Sequence, residues 1–235
     1  MNPRQELILK AVVEEYVRTA EPVGSKAVAD LAAMDVSPAT VRNDMTALEE
    51  AGYLVQPHTS AGRMPTEKAY LHYLQKFVKP QAASAPNERR LKNAVADASS
   101  PELALRDMAR TLGELSGEMA IVAYDPVRSY YAGVSNLFDK PDFHDMALMK
   151  SMSQLIDRFD EVVAEAFDLI PSNEPKVFIG GDNPFGKGMS SILVKVRFPS
   201  GHVGMIGLVG PQRMDYARNL GLVEQTIEIL DDSNE

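Results

Sequence analysis

Ser37-Pro-Ala-Thr-Val-Arg-Asn-Asp-Met-Thr-Ala-Leu-Glu-Glu-Ala-Gly52 is the stretch on which the reading of this chain turns. It predicts one short helix with both ends written into it. Ser37 is a good N-cap, and Pro38 sits at N1, where a missing N–H costs nothing. Gly52 stands where a helix takes a left-handed residue just past its end. Val41, Met45 and Leu48 recur at i, i+4, i+7 as a buried stripe. The opposite side carries Ala39, Asn43, Thr46 and Ala47, with Thr40 and Arg42 on its flanks. A solvated face ordinarily carries Glu and Lys, whereas small and amide side chains suit close approach to base edges in a groove.

Residues 3–20 read as a helix with Leu7, Ile8, Ala11, Val12 and Tyr16 on one face. Glu21-Pro-Val-Gly24 breaks it. Ser25 is expected to cap a second helix, Lys26 to Ala32, with Val28 and Leu31 inward, and residues 33–36 connect it to the organising helix. Three helices, the last two joined by a tight turn, are the skeleton of a helix-turn-helix. Tyr53-Leu-Val55 is a short β-prone run, followed by a polar loop over residues 56–65. A strand, a loop and a return make a hairpin wing. Arg63, expected at or near the wing tip, is placed to enter the minor groove or touch phosphate; His58, Thr59 and Ser60 can donate to phosphate oxygens. Thr66 caps a further helix through Phe77.

The chain has 235 residues, 45% of them apolar and 24% charged, within the range of soluble globular proteins. It contains no cysteine, which excludes disulfides, thiolate chemistry and Cys-based zinc sites. No apolar run is long enough to span a membrane, and the N-terminus is not that of a signal peptide, so a cytoplasmic protein is expected. The net charge of −9 divides unevenly: residues 1–80 balance at −1 and residues 81–235 at −8. Charge therefore permits DNA binding by the first part without predicting it.

Residues 80–87, small and bracketed by prolines, read as a linker between a winged-helix domain at 1–79 and a second domain at 88–235. In the second domain, helices are expected over Glu88–Ala98 and Pro101–Ser116, the latter with Leu103, Leu105, Met108, Leu112 and Leu115 as its apolar positions. A strand is expected over residues 119–124, turned at Asp125-Pro126, with Ser129–Val134 as its hairpin partner. One long helix from Pro141 to about Phe167 carries the stripe Phe143, Met146, Met149, Met152, Ile156, Phe159, Val163 and Phe167. Strands at 176–180, 191–198 and 203–209 and a closing helix from Met214 or Asp215 to Leu230 complete an α+β domain with a small antiparallel sheet.

Sites for chemistry are mostly rejected. Gly181-Asp-Asn-Pro-Phe-Gly-Lys187 fits the first seven positions of a phosphate-binding loop, but Gly188 replaces the required Ser or Thr and a strand, not a helix, follows. A glycine-rich turn explains it. The four histidines lack metal-ligand spacing, and no nucleophile elbow or dinucleotide fingerprint is present. Asp139, Asp142 and Asp145 flank a helix start, where capping explains acids better than catalysis. No enzyme, metal site or cofactor is expected.

The strings Glu21-Pro-Val-Gly-Ser25, Val36 to Met45, Leu48 to Leu54 and Gln56 to Thr66 resemble the heat-inducible transcription repressors of the HrcA family. The similarity resumes at Gly133-Val-Ser-Asn-Leu137, Pro141-Asp-Phe143 and Val203 to Arg218. The resemblance implies a winged helix followed by a GAF-like domain. It implies a repressor of chaperone operons that binds an inverted-repeat operator as a homodimer. It also implies that the chaperonin GroEL keeps the repressor active and that heat releases it by titrating the chaperonin. On this reading Asn43, Thr46 and Ala39 read bases, Arg42 and Thr40 read or position, and Ser25, Ser37, His58, Thr59, Ser60 and Arg63 anchor the backbone. One departure stands out: the dimerising insertion usual in the family has no room between residues 120 and 134. Dimer contacts are then expected from the Thr66–Lys79 helix, the sheet or the closing helix. A ligand-sensing winged-helix regulator with a small-molecule pocket is the alternative.

Overall fold

The fold was described from a computed structural model, which describes residues 1–32, 36–96, 100–125, 128–171 and 173–233. The connector at 33–35, the helix end at 97–98 and the turn at Pro126 lie outside these. The chain divides into two compact units, Met1–Val78 and Lys79–Glu235.

In the first unit, helix α1 (Pro3–Thr19) opens with a capping box in which Asn2 and Gln5 bond each other's backbone N–H. Its buried residues are Ile8, Leu9, Ala11, Val12 and Val13, while Leu7 is 48% exposed. The expected face is thus rotated: α1 meets three helices and a strand, so its buried arc is broad and Leu7 falls at its edge. Helix α2 (Ser25–Leu31) follows. Gly24, not Ser25, is its N-cap, and Leu31 is 53% exposed because seven residues bury only Val28.

Helix α3 (Pro38–Glu50) is the organising helix. The Ser37 hydroxyl accepts from the Thr40 N–H at 3.2 Å, and Gly52 takes φ +78° just past the end. Val41, Met45 and Leu48 are buried, each stabilising the unit by about 1.5–3 kcal/mol. Asp44 is buried as well, which the apolar period did not foretell. It accepts from Arg4 Nε at 2.7 Å and lies 3.4 Å from the Gln5 amide, tying the start of α1 to α3. Strands β1 (Leu54–Val55) and β2 (Met64–Pro65) pair antiparallel, and Thr66 caps helix α4 (Glu67–Phe77). On α4, Lys76 pairs with Glu6 and the Tyr73 hydroxyl donates to Glu14 at 3.3 Å, fixing α4 on α1.

The second unit opens where the linker was expected. Helix α5 (Ala85–Ala96) begins three residues inside the 80–87 stretch, with Pro86 in its first turn, where proline is tolerated. Before it, the Gln81 N–H donates to the Ala217 carbonyl at 2.8 Å. A side chain at Gly221 would collide with the Gln81 backbone. Small residues here serve close packing on the closing helix rather than a free tether.

Helix α6 (Pro101–Ser116) buries Leu105, Met108, Leu112 and Leu115 but leaves Leu103 40% exposed. Strands β3 (Met119–Ala123), β4 (Ser129–Ala132), β5 (Lys176–Ile179), β6 (Met189–Arg197) and β7 (Val203–Pro211) form one antiparallel sheet in the order β4-β3-β7-β6-β5. Helix α10 (Tyr216–Asp232), capped by Asp215, closes the chain. Helices α6 and α10 pack against the sheet. The cluster of Met119, Ile121, Leu193, Met205 and Val209 buries against a second helical layer. With helices on both faces, β3 is buried at every position, which is why it reads as an unbroken apolar run.

Two expectations change in that second layer. Val134 is not strand but the first residue of α7 (Val134–Phe138), which Gly133 initiates at φ +83°. The single helix over 141–167 is instead a 3-10 turn at Pro141–His144, helix α8 (Met146–Asp157) and helix α9 (Phe159–Leu169). Asp145 starts α8 by accepting from the Ala147 N–H at 2.7 Å, and Arg158 leaves helical geometry at φ −117°, ψ 25°. The break lets Met152 and Leu155 on one side and Phe159, Val162 and Val163 on the other all reach the core. Met146 is 76% exposed and drops out of the stripe. The Gly181–Lys187 segment runs through a short 3-10 turn into β6, so a strand and not a helix follows it.

Candidate nucleic-acid interface

The outward face of α3 is built as the spacing requires. Ala39, Arg42, Asn43 and Thr46 are exposed at i, i+3, i+4, i+7, with Thr40 half-buried beside them. Their hydroxyls are partly spoken for: Thr46 Oγ1 donates to the Arg42 carbonyl at 3.1 Å, and the Ser37 and Thr40 hydroxyls meet at 3.0 Å. Asn43 and Arg42 are both exposed.

Between α3 and the wing lies a concavity of about 380 Å³. Ser25, Arg42, Thr46, Thr59, Ser60 and Arg63 line it, so six of the expected site residues converge on one surface of this unit. Ala39, Thr40 and Asn43 belong to the adjoining helix face and Ser37 to its N-cap. His58 sits in the wing loop with its Nδ1 3.2 Å from Ser60 Oγ.

Arg63 is not at the wing tip. Its backbone pairs with Val23, N–H to carbonyl at 2.9 and 2.8 Å in the two directions, and its side chain is only 14% exposed. The guanidinium Nε donates to Glu49 Oε2 at 2.8 Å, while Glu49 Oε1 accepts from the Gln56 N–H at 3.1 Å. One carboxylate at the end of α3 thus grips both legs of the wing. Gln56 completes the loop by donating to the carbonyls of Thr59 and Ala61 at 3.1 and 2.8 Å. Gly62 lets the return leg pass Val23, since a Cβ there would strike the Val23 carbonyl. Sequence reasoning missed Glu49 and Gln56. A signal existed for Glu49: an acid in the last turn of a helix opposes the dipole, and so calls for a cation nearby.

The strings of the second unit that carried the resemblance meet around the start of β3. Asn136 Nδ2 donates to the carbonyls of Gly113 and Glu118 at 2.9 and 3.2 Å. Arg213 Nε donates to Asp142 at 2.7 Å, so Asp142 serves a largely buried ion pair rather than a cap. Lys140 pairs with Glu118, whose carboxyl burial nevertheless pushes up to about 7. Asp215 caps α10, and the Tyr216 hydroxyl donates to the Gln212 carbonyl at 2.6 Å.

A capped helix presenting small side chains, preceded by a helix at a turn and flanked by a hairpin, defines a winged helix-turn-helix DNA-binding protein. The chain belongs to the HrcA family. The family model for the winged helix-turn-helix transcription repressor, HrcA DNA-binding, matches residues 1–77, and that for the HrcA protein C-terminal domain matches residues 71–220. The family is one of transcription repressors, not enzymes. The heat-inducible transcription repressor HrcA of Bifidobacterium animalis subsp. lactis is 45% identical over 122 residues, 52% of this chain and 33% of that one. The protein of the same name from Thermobifida fusca is 43% identical over 124 residues, 53% of this chain and 36% of that one. The matches thus span about a third of the length of these curated relatives. A crystal structure of a hypothetical protein shares the fold with a TM-score of 0.80 at 18% identity, over 100% of this chain and 98% of that one. Among the described residues no helix is long and apolar enough to cross a membrane.

Proposed function

We propose that this chain is a cytoplasmic, sequence-specific repressor of heat-shock (chaperone) operons that binds an inverted-repeat operator in double-stranded DNA as a homodimer and leaves it on heat stress. The observation that carries the reading is the exposed face of α3 beside the wing concavity. Asn43, Thr46 and Ala39 meet base edges in the major groove, Arg42 and Thr40 read or position, and Ser25, Ser37, His58, Thr59 and Ser60 hold the phosphate backbone. Arg63 serves the same interface through its bond to Glu49, holding the wing in place and not touching phosphate itself. Residues 1–79 form the DNA-binding domain and 88–235 a GAF-like regulatory domain, on which GroEL acts to keep the repressor active. The name shared by the relatives, heat-inducible transcription repressor, supports this over the ligand-sensor alternative.

Selection from a pool of random duplexes with the full chain tests the proposal. An inverted repeat is expected, with half-sites about one helical turn apart or a multiple of it. Its affinity should change on adding the chaperonin and not on adding metabolites. Recovery of no consensus would refute sequence-specific recognition.

A further inference from the structure

The unit Met1–Val78 contains eight lysines and arginines. Five are neutralised within it: Arg4 by Asp44, Lys10 by Glu14, Arg18 by Glu15, Arg63 by Glu49 and Lys76 by Glu6. Lys68 donates to the Ala51 carbonyl at 2.8 Å and stands 4.4 Å from the centre of the Tyr53 ring. Among the described residues, the cations left with no hydrogen bond or carboxylate partner in the unit are Lys26 and Arg42. Both belong to the helix-turn-helix, on α2 and α3, and both are exposed. Ser25, which precedes Lys26, lines the same concavity as Arg42. The wing loop over residues 56–62 holds no Lys or Arg, and the one guanidinium that follows it is bound to Glu49.

An unpaired surface lysine alone says little. What carries weight is the distribution: within Met1–Val78 the unit's own carboxylates or carbonyls hold every cation outside the helix-turn-helix, and the next cation, Lys79, already begins the second unit. From this we infer that Lys26 is a phosphate-contacting residue of the DNA interface. Lys26 and Arg42 supply the cationic charge that one unit brings to the duplex. Arg63 is a positioning residue that acts through Glu49 on the wing, and the wing's own contacts are uncharged. The inference rests on the reading of this unit as DNA-binding. It has a consequence for thermodynamics: each phosphate neutralised contributes about −0.9 to the slope of log K against log salt, so Lys26 alone gives about −0.9 per unit and about −1.8 for two units on an inverted repeat, with Arg42 adding as much only where it meets phosphate and not guanine.

The test is binding of the full chain to a random-sequence duplex of about 40 base pairs, and to the selected repeat, across a KCl series. Lys26→Gln should flatten the slope by about 0.9 per bound subunit and weaken both duplexes by the same factor. Lys10→Gln should leave slope and affinity as in the wild type. Arg63→Gln should weaken the selected repeat without flattening the slope. Glu49→Arg combined with Arg63→Glu, which restores the pair with partners reversed, should recover most of that loss even if the single variant folds poorly. An unchanged slope in Lys26→Gln overturns the inference while leaving the DNA-binding reading intact, as does a flattened slope in Arg63→Gln. A wild type that binds no duplex at any salt removes the DNA-binding reading itself.

Discussion

Arg42 is exposed at the middle of the α3 face, next to Asn43 and one turn from Thr46. If its guanidinium pairs with guanine O6 and N7, Arg42→Ala should cost about 1–3 kcal/mol and relax specificity at one position of each half-site. Uniform weakening on every sequence would make it a phosphate contact instead, and competition binding against single-base variants of the repeat decides between them. A second residue-scale expectation concerns Glu118, buried beside Lys140. Burial raises its carboxyl to about 7, above the unfolded value. The folded state therefore holds the extra proton between about pH 4.5 and pH 7, and stability falls as pH rises through that window. The contribution is full below it and lost above it, of order 1–3 kcal/mol. Urea unfolding at about pH 5 and about pH 7.5 should show the decline in the wild type and a smaller one in Glu118→Gln. Equal pH dependence in the two would refute it.

At the scale of elements, the wing is held by the Glu49 carboxylate, the Gln56 amide, the Val23–Arg63 bridge and the close approach at Gly62. Gly62→Ala would push the return leg off Val23, and the expected result is a loss of at least about tenfold in operator affinity, or about 1.4 kcal/mol, with secondary structure retained. Circular dichroism beside a binding isotherm checks both halves of that statement. In the other unit, Gly221→Ala should drive Gln81 off α10 and destabilise by about 1–3 kcal/mol, read by urea unfolding. The extent of helix α3 was legible because Ser37, Pro38 and Gly52 mark its ends and its apolar period lies between them, while buried Asp44 and the role of Glu49 depend on partners distant in sequence. The division of α8 from α9 was not, since the apolar spacing runs on through Arg158 and no glycine or proline marks the break. Arg63 was misplaced for a different reason. Its pairing with Val23 spans a helix-turn-helix, and no local pattern reports a long-range bridge. The linker illustrates a third limit: small residues between prolines suit close packing as well as flexibility, and composition does not separate the two.

At the scale of the whole molecule, an inverted repeat asks for a two-fold protein. A dimer is expected by sedimentation at micromolar concentration, and a monomer binding the repeat without cooperativity would contradict it. The acidic second unit would repel phosphates if brought near them, so the duplex is expected to meet residues 1–78 alone. The most direct test of the central claim is protection of guanine N7 in the selected repeat from methylation, which reports the major groove. The full chain should protect guanines in both half-sites, and Arg42→Ala with Asn43→Ala should abolish that protection while the thermal midpoint is kept. Major-groove guanines left open to methylation under a bound wild-type protein would contradict the account.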